Sequence, residues 1–474
     1  MRILAIDQGT SATKAAVVDE DGAILSLSEV SIRPIYGSGG LVEQEPIALR
    51  ESVLEAGTRA VKSAGGGIDA VALANQGETV LAWDPSTGAP LTPAIVWQDG
   101  RAQEICDEVS QHGERLAART GLVLDPYFSA PKMAWIRRHL TTDGIVTTTD
   151  AWLVHTLTGE IASDVTTASR SLVLDLDHRE WDRGLLEVFG LADERLPRLV
   201  ACDEIVGSTG AFGAEAALTG LIVDQQAALL AEGCTVPGMA KCTYGTGAFL
   251  LANVGGSGQR SRHGLTTSVA WQTANRTDYC MDGQVYTAAS AVRWLIDLGI
   301  LASAGDIDTA ASVDATGVLF VPALAGLASP WWRSDATASF VGLSLATHGG
   351  QLVRAVMEGI AAQVAELVLV MATDAGTPIR RLRVDGGLTN SRVLMQAQAD
   401  LLQVPVEVYP SAHATALGAA AMARLALLAD VNLEQAVWSW EPERVYEPAW
   451  SADRAGSFMD AWRRALQVHL PEPR

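Results

Sequence analysis

The sequence predicts an α/β protein built as two domains that face each other across a cleft. Three observations lead there. The chain has 474 residues, more than one ordinary core holds, so two domains of roughly 200 residues each are expected. It opens on a strand–turn–strand unit, RILAI (2–6) and TKAAVVD (13–19) joined by the polar turn DQGTSA. A second such unit, MAKCTYGTGAFLLANV from Met239, starts just past the midpoint on its own Gly-Thr turn. Each unit then runs into alternating apolar strands and helix-spaced segments, the pattern of a mixed α/β domain.

Taken in order, the turn DEDG after TKAAVVD leads to a third strand, AILSLSEV, and completes an antiparallel series with Gly-rich turns. Pro46, Ile47, Leu49, Val53, Leu54 and Val61 recur at helical spacing, which predicts a helix over 46–63 packed on that sheet. A strand is expected at 68–73, followed by helices at 100–119 and 130–140. In the second half the pattern predicts a strand at 278–285 and a helix at 287–300. The 351–373 segment carries apolar residues on more than one face and so predicts a buried helix. RLRVDGGLTN reads as strand plus Gly-rich turn, LMQAQADLL as helix, VPVEVY as strand and ATALGAAAMARLALL as a helix of small residues. The boundary falls in AEGCTVPGM, giving domains 1–232 and 233–474.

Composition limits the function classes. Hydrophobic residues make up 48% and charged residues 19%, the balance of a soluble globular protein with large cores. No apolar run approaches the ~20 residues of a membrane span, and the opening MRILAIDQGT lacks a signal-peptide layout; a cytoplasmic location is expected. Five scattered cysteines without a CxxC point to reduced thiols. A net charge of −21 argues against nucleic acid or an anionic membrane as partner. It leaves ATP open, because backbone N–H groups and a metal ion hold phosphates locally.

Five motifs carry candidate chemistry. In DQGTSATK, Gly9 permits a tight turn, and Thr10, Ser11 and Thr13 supply hydroxyls and backbone donors for phosphate oxygens. Asp7 at a strand end suits the hydrated shell of Mg²⁺ and Lys14 suits phosphate charge; the same residues also make an ordinary capped hairpin turn. YGTGAF, with Thr246 between glycines, and VDGGLTNS repeat that logic, and neither is a Walker A motif. In LIVDQQAALL, Asp224 follows an apolar strand and precedes a helix, where it serves either as helix cap or as general base. Finally NQGE, IVWQDGR and DPYFS bring an acid (Glu78), amides and aromatics (Trp97, Tyr127), equipment for a small polyhydroxylated molecule; alternatively Trp97 is core and Glu78 a solvated turn residue. No histidine cluster, HExxH or G-x-S-x-G is present.

Together these residues resemble the FGGY family of carbohydrate kinases, and within it the glycerol kinases. The resemblance runs through LAIDQGTSATKA, LVEQEP, AIVWQDGR, TGLVLDPYFSAPK, TTASRSLV, VDQQAALL, GMAKCTYGTGAFLLAN, RVDGGLTNSRVLMQAQADLL and ATALGAA, nearly the whole chain. It implies a two-domain actin- and hexokinase-like (ribonuclease H-like) ATPase fold closing on a cleft, with MgATP-dependent phosphorylation of a terminal hydroxyl and a homodimer as partner state. Matched by motif, Asp224 is the implied base and Gln225 a substrate contact. Gln76, Glu78, Trp97, Tyr127 and Phe249 fall on the polyol pocket. Thr10, Ser11, Lys14 and Thr246 fall on the phosphate side, and Gly387, Asn390 and Ser391 on the adenosine side. Ala289 and Arg293 stand where the family has Gly and Gln. Gly77 stands where glycerol kinases carry an arginine that binds the far hydroxyl, so the implied substrate is glycerol or a slightly larger polyol; the alternative is a four- or five-carbon polyol or ketose such as erythritol, threitol, xylulose or ribulose. The stretch GSTGAFGAEAALTG lacks the loop at which bacterial glycerol kinases bind a sugar bisphosphate.

Overall fold

The computed structural model describes residues 1–470. Two mixed sheets organise it, and they repeat one topology. In the first, Arg2–Gln8, Ala12–Asp19 and Ile24–Ser31 form an antiparallel meander; Ala70–Asn75 then pairs parallel with Arg2–Gln8, and Ala216–Val223 parallel with Ala70–Asn75. In the second, Ala240–Tyr244, Ala248–Gly255 and Thr277–Val285 run antiparallel, while Leu382–Asp385 pairs parallel with Ala240–Tyr244 and Val406–Val408 with Leu382–Asp385. The five strands named for each half stand in the same spatial order, as the paired Gly-Thr hairpins predict, and the second sheet carries in addition Thr266–Gln272 beside Thr277–Val285 at its edge.

The same pattern explains burial. The first and fourth strands of the first sheet are covered on both faces, so they are nearly continuous apolar runs: Ile3 to Ile6 and Val71 to Leu73 are sealed from solvent. Helix Pro46–Ser63 covers one face of the first sheet, with Leu49, Val53, Ala56 and Ala60 inward. The other face is covered from far along the chain, by helix Ala414–Leu427, whose small side chains Ala416, Ala419, Ala420 and Ala423 meet Ile3, Ala5, Ala72 and Ala74. A cut at 232 therefore divides the sequence more cleanly than it divides the packing.

A five-stranded layer (Ile35–Tyr36, Val42–Gln44, Ala94–Ile95, Val80–Trp83 and Ile145–Thr148) with its own core around Phe128, Met133 and Ile136 stands on the first half. Two expectations are corrected. The helix expected over 100–119 is broken into Gln103–Glu108 and Gly113–Thr120 by a single tight turn at Ser110–His112, where Gly113 weakens helix continuation. Helix Gly349–Ala375 is long and apolar enough to cross a membrane, contrary to the absence of such a run expected from the sequence; it is the buried helix of the second half, with Val353, Val356, Ile360, Val364 and Leu367 sealed in the core.

Candidate active site

Three neighbouring parallel strands of the first sheet end in register: Gln8 is opposite Asn75, and Asn75 opposite Val223. The residues that follow each end, Gly9-Thr10, Gln76-Gly77-Glu78 and Asp224-Gln225, therefore emerge side by side at one edge. Carboxyl ends of parallel strands are where open α/β sheets present ligand groups.

Asp224 is the first residue of helix Asp224–Ala231, and Val223 is its cap position. Its Oδ1 accepts only the N–H of Gln225, at 2.6 Å, and it caps neither of the next two N–H groups. Of the two sequence readings, capping is thus the weaker. Burial, with the nearby charges of Asp7 and Glu78, pushes its carboxyl up to about 7, against the pull of Lys241. Beside it Gln225 Oε1 accepts from Lys241 Nζ at 2.6 Å, and the same ammonium donates to Thr243 Oγ1 at 2.7 Å, so a buried lysine ties the two halves together.

Glu78 is buried, not a solvated turn residue. It, and not Gly77, takes the left-handed conformation, with φ at 58°, and the Thr79 N–H bonds the Gly77 carbonyl at 2.7 Å to close the turn around it. Gly77 supplies no positive φ to this turn: the carboxylate residue bears the strain. A non-glycine residue held this way costs of order 1–3 kcal/mol and is characteristic of functional sites. Arg170 holds the carboxylate: Nε donates to Glu78 Oε1 at 2.6 Å and Nη1 to Asp282 Oδ1 at 2.9 Å.

The aromatic wall is assembled as the motifs predict. Trp97 packs edge-on to Tyr127 and to Phe249, with ring centroids 5.5 and 6.0 Å apart. Trp97 is partly exposed and lies outside every core cluster, so it is not a core residue. Its Nε1 donates to Thr10 Oγ1 at 2.9 Å, Thr10 donates to Gln76 Oε1 at 2.9 Å, and Gln76 Nε2 donates to Gln44 Oε1 at 2.6 Å. The hydroxyl of Thr10 and the amide of Gln76 are thus engaged with each other, linking the first Gly-Thr turn to the pocket rim. Lys132, sealed from solvent, donates to the carbonyls of Pro126 (2.8 Å), Tyr127 and Phe128 (2.7 Å), fixing the turn that presents Tyr127. Glu78, Tyr127, Arg170, Asp224, Phe249 and Asp282 line one cavity of about 30 Å³.

On the phosphate side, burial and the neighbouring Asp385 push Asp7 up to about 6 against the pull of Lys14. Asp385, raised by burial too, has a buried Oδ1 with no partner. Ser11 is exposed at the tip of the first hairpin. Thr246 is exposed in its turn, and its carbonyl accepts the N–H of Ala288 at 2.9 Å, docking the turn on the start of helix Ala289–Asp297. Gly386 has φ at 93°, and a Cβ there would lie 2.5 Å from the Tyr244 carbonyl; only glycine lets the VDGG turn lie against the YGTG turn.

The adenosine-side candidates spread out more. Gly387 and Asn390 bound one tight turn, Asn390 Nδ2 bonding the Gly387 carbonyl at 3.1 Å. Ser391 caps helix Arg392–Leu402 through the Leu394 N–H at 3.2 Å and donates to Asp308 at 3.0 Å, so its hydroxyl has protein partners. Arg293 is exposed and pairs with Asp297 at 3.1 Å.

Sequence reasoning missed Arg170, Asp282, Lys241 and Gln44. Arg170 lies in TTASRSLV and Gln44 in LVEQEP, both conspicuous as segments, but a lone arginine or glutamine carries no spacing signal. A strand lysine in an apolar run, as at Lys241, is the one such signal available.

Comparison with known proteins agrees with this geometry. Residues 2–231 match the N-terminal domain of the FGGY family of carbohydrate kinases, and residues 240–427 its C-terminal domain. A glycerol kinase from Trichlorobacter lovleyi is 39% identical over 98% of both chains, and one from Bordetella parapertussis 40% identical over 98% of this chain and 96% of its own. The crystal structure of Plasmodium falciparum glycerol kinase with ADP superposes with a TM-score of 0.92 at 30% identity, covering 100% of this chain and 99% of that one. A xylulose kinase from Brucella ovis superposes with a TM-score of 0.88 at 25% identity over 99% of each. The chain belongs to the FGGY family of carbohydrate kinases, ATP-using phosphotransferases.

Proposed function

We propose that the protein transfers the γ-phosphoryl group of ATP to a terminal hydroxyl of glycerol or a slightly larger polyol. The observation that carries this reading is Asp224, a carboxylate with its proton affinity near neutrality, in one cavity with Glu78 and the Tyr127–Phe249 wall. Asp224 takes the proton of the attacking hydroxyl as its oxygen bonds to the γ-phosphorus and ADP leaves, a contribution of about 10²–10⁴-fold. Glu78 accepts from a neighbouring hydroxyl, the aromatics cover the carbon chain, and the Gly-Thr turns around Thr10 and Thr246 orient the phosphates, the larger part of catalysis in this reaction class. Closure of the halves excludes water from the transfer. With the division at 1–232 and 233–474, the acceptor is held mainly by the first half, joined by Phe249 and Asp282 of the second, and the nucleotide mainly by the second.

Mg²⁺ fits the site. Asp7 and the unpartnered Asp385 oxygen give hard oxygen donors that repel each other, and no group of three or more ligating side chains occurs among the described residues. Asp7 and the neighbouring Asp385 would hold the ion, leaving its other positions to phosphate and water. Bound there, the ion would supply charge neutralisation to the phosphates.

The alternative, a four- or five-carbon polyol or ketose, is favoured by Gly77, which puts no side chain into the rim, and by the likeness to a xylulose kinase. Acceptor-dependent ADP release, measured over three- to six-carbon polyols and ketoses, separates the two. Glycerol turned over with the lowest KM supports the first reading. Turnover of ketoses alone overturns it, and ATP binding without acceptor-dependent release overturns both.

A further inference from the structure

Arg170 has no role in the phosphoryl transfer described above, yet among the described residues it is the only cation lining the cavity. It is buried and stacks over the rings of Tyr127 and Phe128, at 5.7 and 5.2 Å. Its two anchors come from the two halves: Glu78 follows the strand Ala70–Asn75 of the first sheet, and Asp282 lies in Thr277–Val285 of the second. A guanidinium has five N–H donors in a fixed fork. Two are engaged, and the rest have no acceptor among the described residues although the residue faces the cavity. Arg170 and Asp224 line the same cavity.

The lining holds three carboxylates, Glu78, Asp224 and Asp282, against this one cation. Lys241 lies close by, but its ammonium is engaged by Gln225 and Thr243. An acceptor bearing its own carboxylate would enter a cavity of surplus negative charge whose single cation is already doubly paired. Burying such a charge without a partner is expensive. An uncharged hydroxyl meets free N–H donors and carboxylate acceptors at no such cost.

We propose that Arg170, clamped between Glu78 and Asp282, is the specificity-determining residue of the pocket: it donates to an acceptor hydroxyl other than the reacting one, and the clamp restricts the enzyme to uncharged polyols and ketoses, excluding sugar acids. This rests on the kinase reading above and names the substrate class of the same site. Two measurements test it. On the wild-type enzyme, kcat/KM is compared within pairs of equal carbon number, glycerol with glycerate and xylitol with xylonate. The acid is expected to be at least ~100-fold poorer; an acid within about fivefold of its polyol overturns the exclusion. Then Arg170→Lys, which keeps the charge and loses the fork, is expected to raise the KM of the best acceptor at least ~10-fold, with kcat falling less than ~5-fold and the ATP Kd within twofold. An unchanged acceptor KM overturns the role of the arginine, as does a parallel loss of ATP affinity, the mark of a merely structural part. Should the lysine variant not fold, Asp282→Asn loosens the same guanidinium and is read the same way, a rise in acceptor KM supporting the clamp and no change overturning it. A wild-type enzyme that phosphorylates no acceptor overturns the function and this inference together; activity on polyols with unaltered acceptor KM in the variants overturns the inference alone.

Discussion

At the scale of single residues the site is a set of buried acids held in different protonation regimes. Asp224 is raised to about 7 by burial and by Asp7 and Glu78, which makes it a competent base at neutral pH and a poor one in acid. Asp224→Asn is therefore expected to fold normally and lose kcat by at least ~10²-fold, and wild-type kcat/KM is expected to climb with pH up to about 7 and then level off. A pH–rate profile that is flat from 5.5 to 8 would remove Asp224 from the role. Gly77, by contrast, is not held by its backbone: the left-handed residue is Glu78, and a Cβ at Gly77 meets only Val223 Cγ2, at 3.0 Å. Gly77→Arg should consequently fold, at the expense of a small shift of Val223, and should raise the preference for glycerol over five-carbon acceptors by roughly tenfold, the worth of about one charge-assisted hydrogen bond. Collapse of activity on every acceptor would show that the rim tolerates no side chain there.

At the scale of elements, the base is placed by packing that begins almost two hundred residues away. Helix Ala414–Leu427 lies so close to helix Asp224–Ala231 that a Cβ on Gly418 would fall 1.9 Å from the Ala227 carbonyl. Gly418→Ala must push the helices apart, and since Ala227 lies one turn from Asp224, the base moves with them. The expected result is a loss of about 1–3 kcal/mol or more together with a drop in kcat, read by thermal melting and steady-state kinetics; a stable variant with unaltered kcat would show that the helices are not tightly coupled. This element also marks what the sequence could reveal. The small-residue run ATALGAA was legible as a helix, and the strand–turn–strand units were legible as a repeated topology, because periodicity and glycines are local signals. That the helix serves the first sheet is a non-local pairing that no period encodes. Likewise Glu78, Trp97, Tyr127 and Asp224 announced themselves by their motifs, whereas the Arg170 clamp depends on Asp282, 112 residues later, and nothing near Arg170 in the chain foretells it.

At the scale of the molecule, two sheets of the same order are joined so that their acid-bearing strand ends face one another, and this arrangement sets function against stability. Asp7 at about 6 and Asp224 at about 7 both titrate above the ordinary carboxylate value, mainly through burial. Between pH 4 and 7 the folded protein therefore holds protons that the unfolded chain has released, so these groups make stability fall as pH rises through that window, and the loss is complete above about 7. Three results follow for thermal melting of the unliganded protein. The Tm of Asp224→Asn should match wild type near pH 4 and exceed it by roughly 4 °C at pH 8: the rise from 3.8 to about 7 is worth about 4 kcal/mol, and a chain of this length shifts about 1 °C per kcal/mol. The stabilisation by MgATP should be larger at pH 8 than at pH 5.5, because a cation held at Asp7 relieves its repulsion with Asp385 only when both are charged. ATP with EDTA should lose that pH dependence. A Tm difference between Asp224→Asn and wild type that stays constant from pH 4 to 8 would mean that Asp224 titrates as an ordinary exposed carboxylate, which would take from it both the strain described here and the proton affinity that suits it to accept the hydroxyl proton.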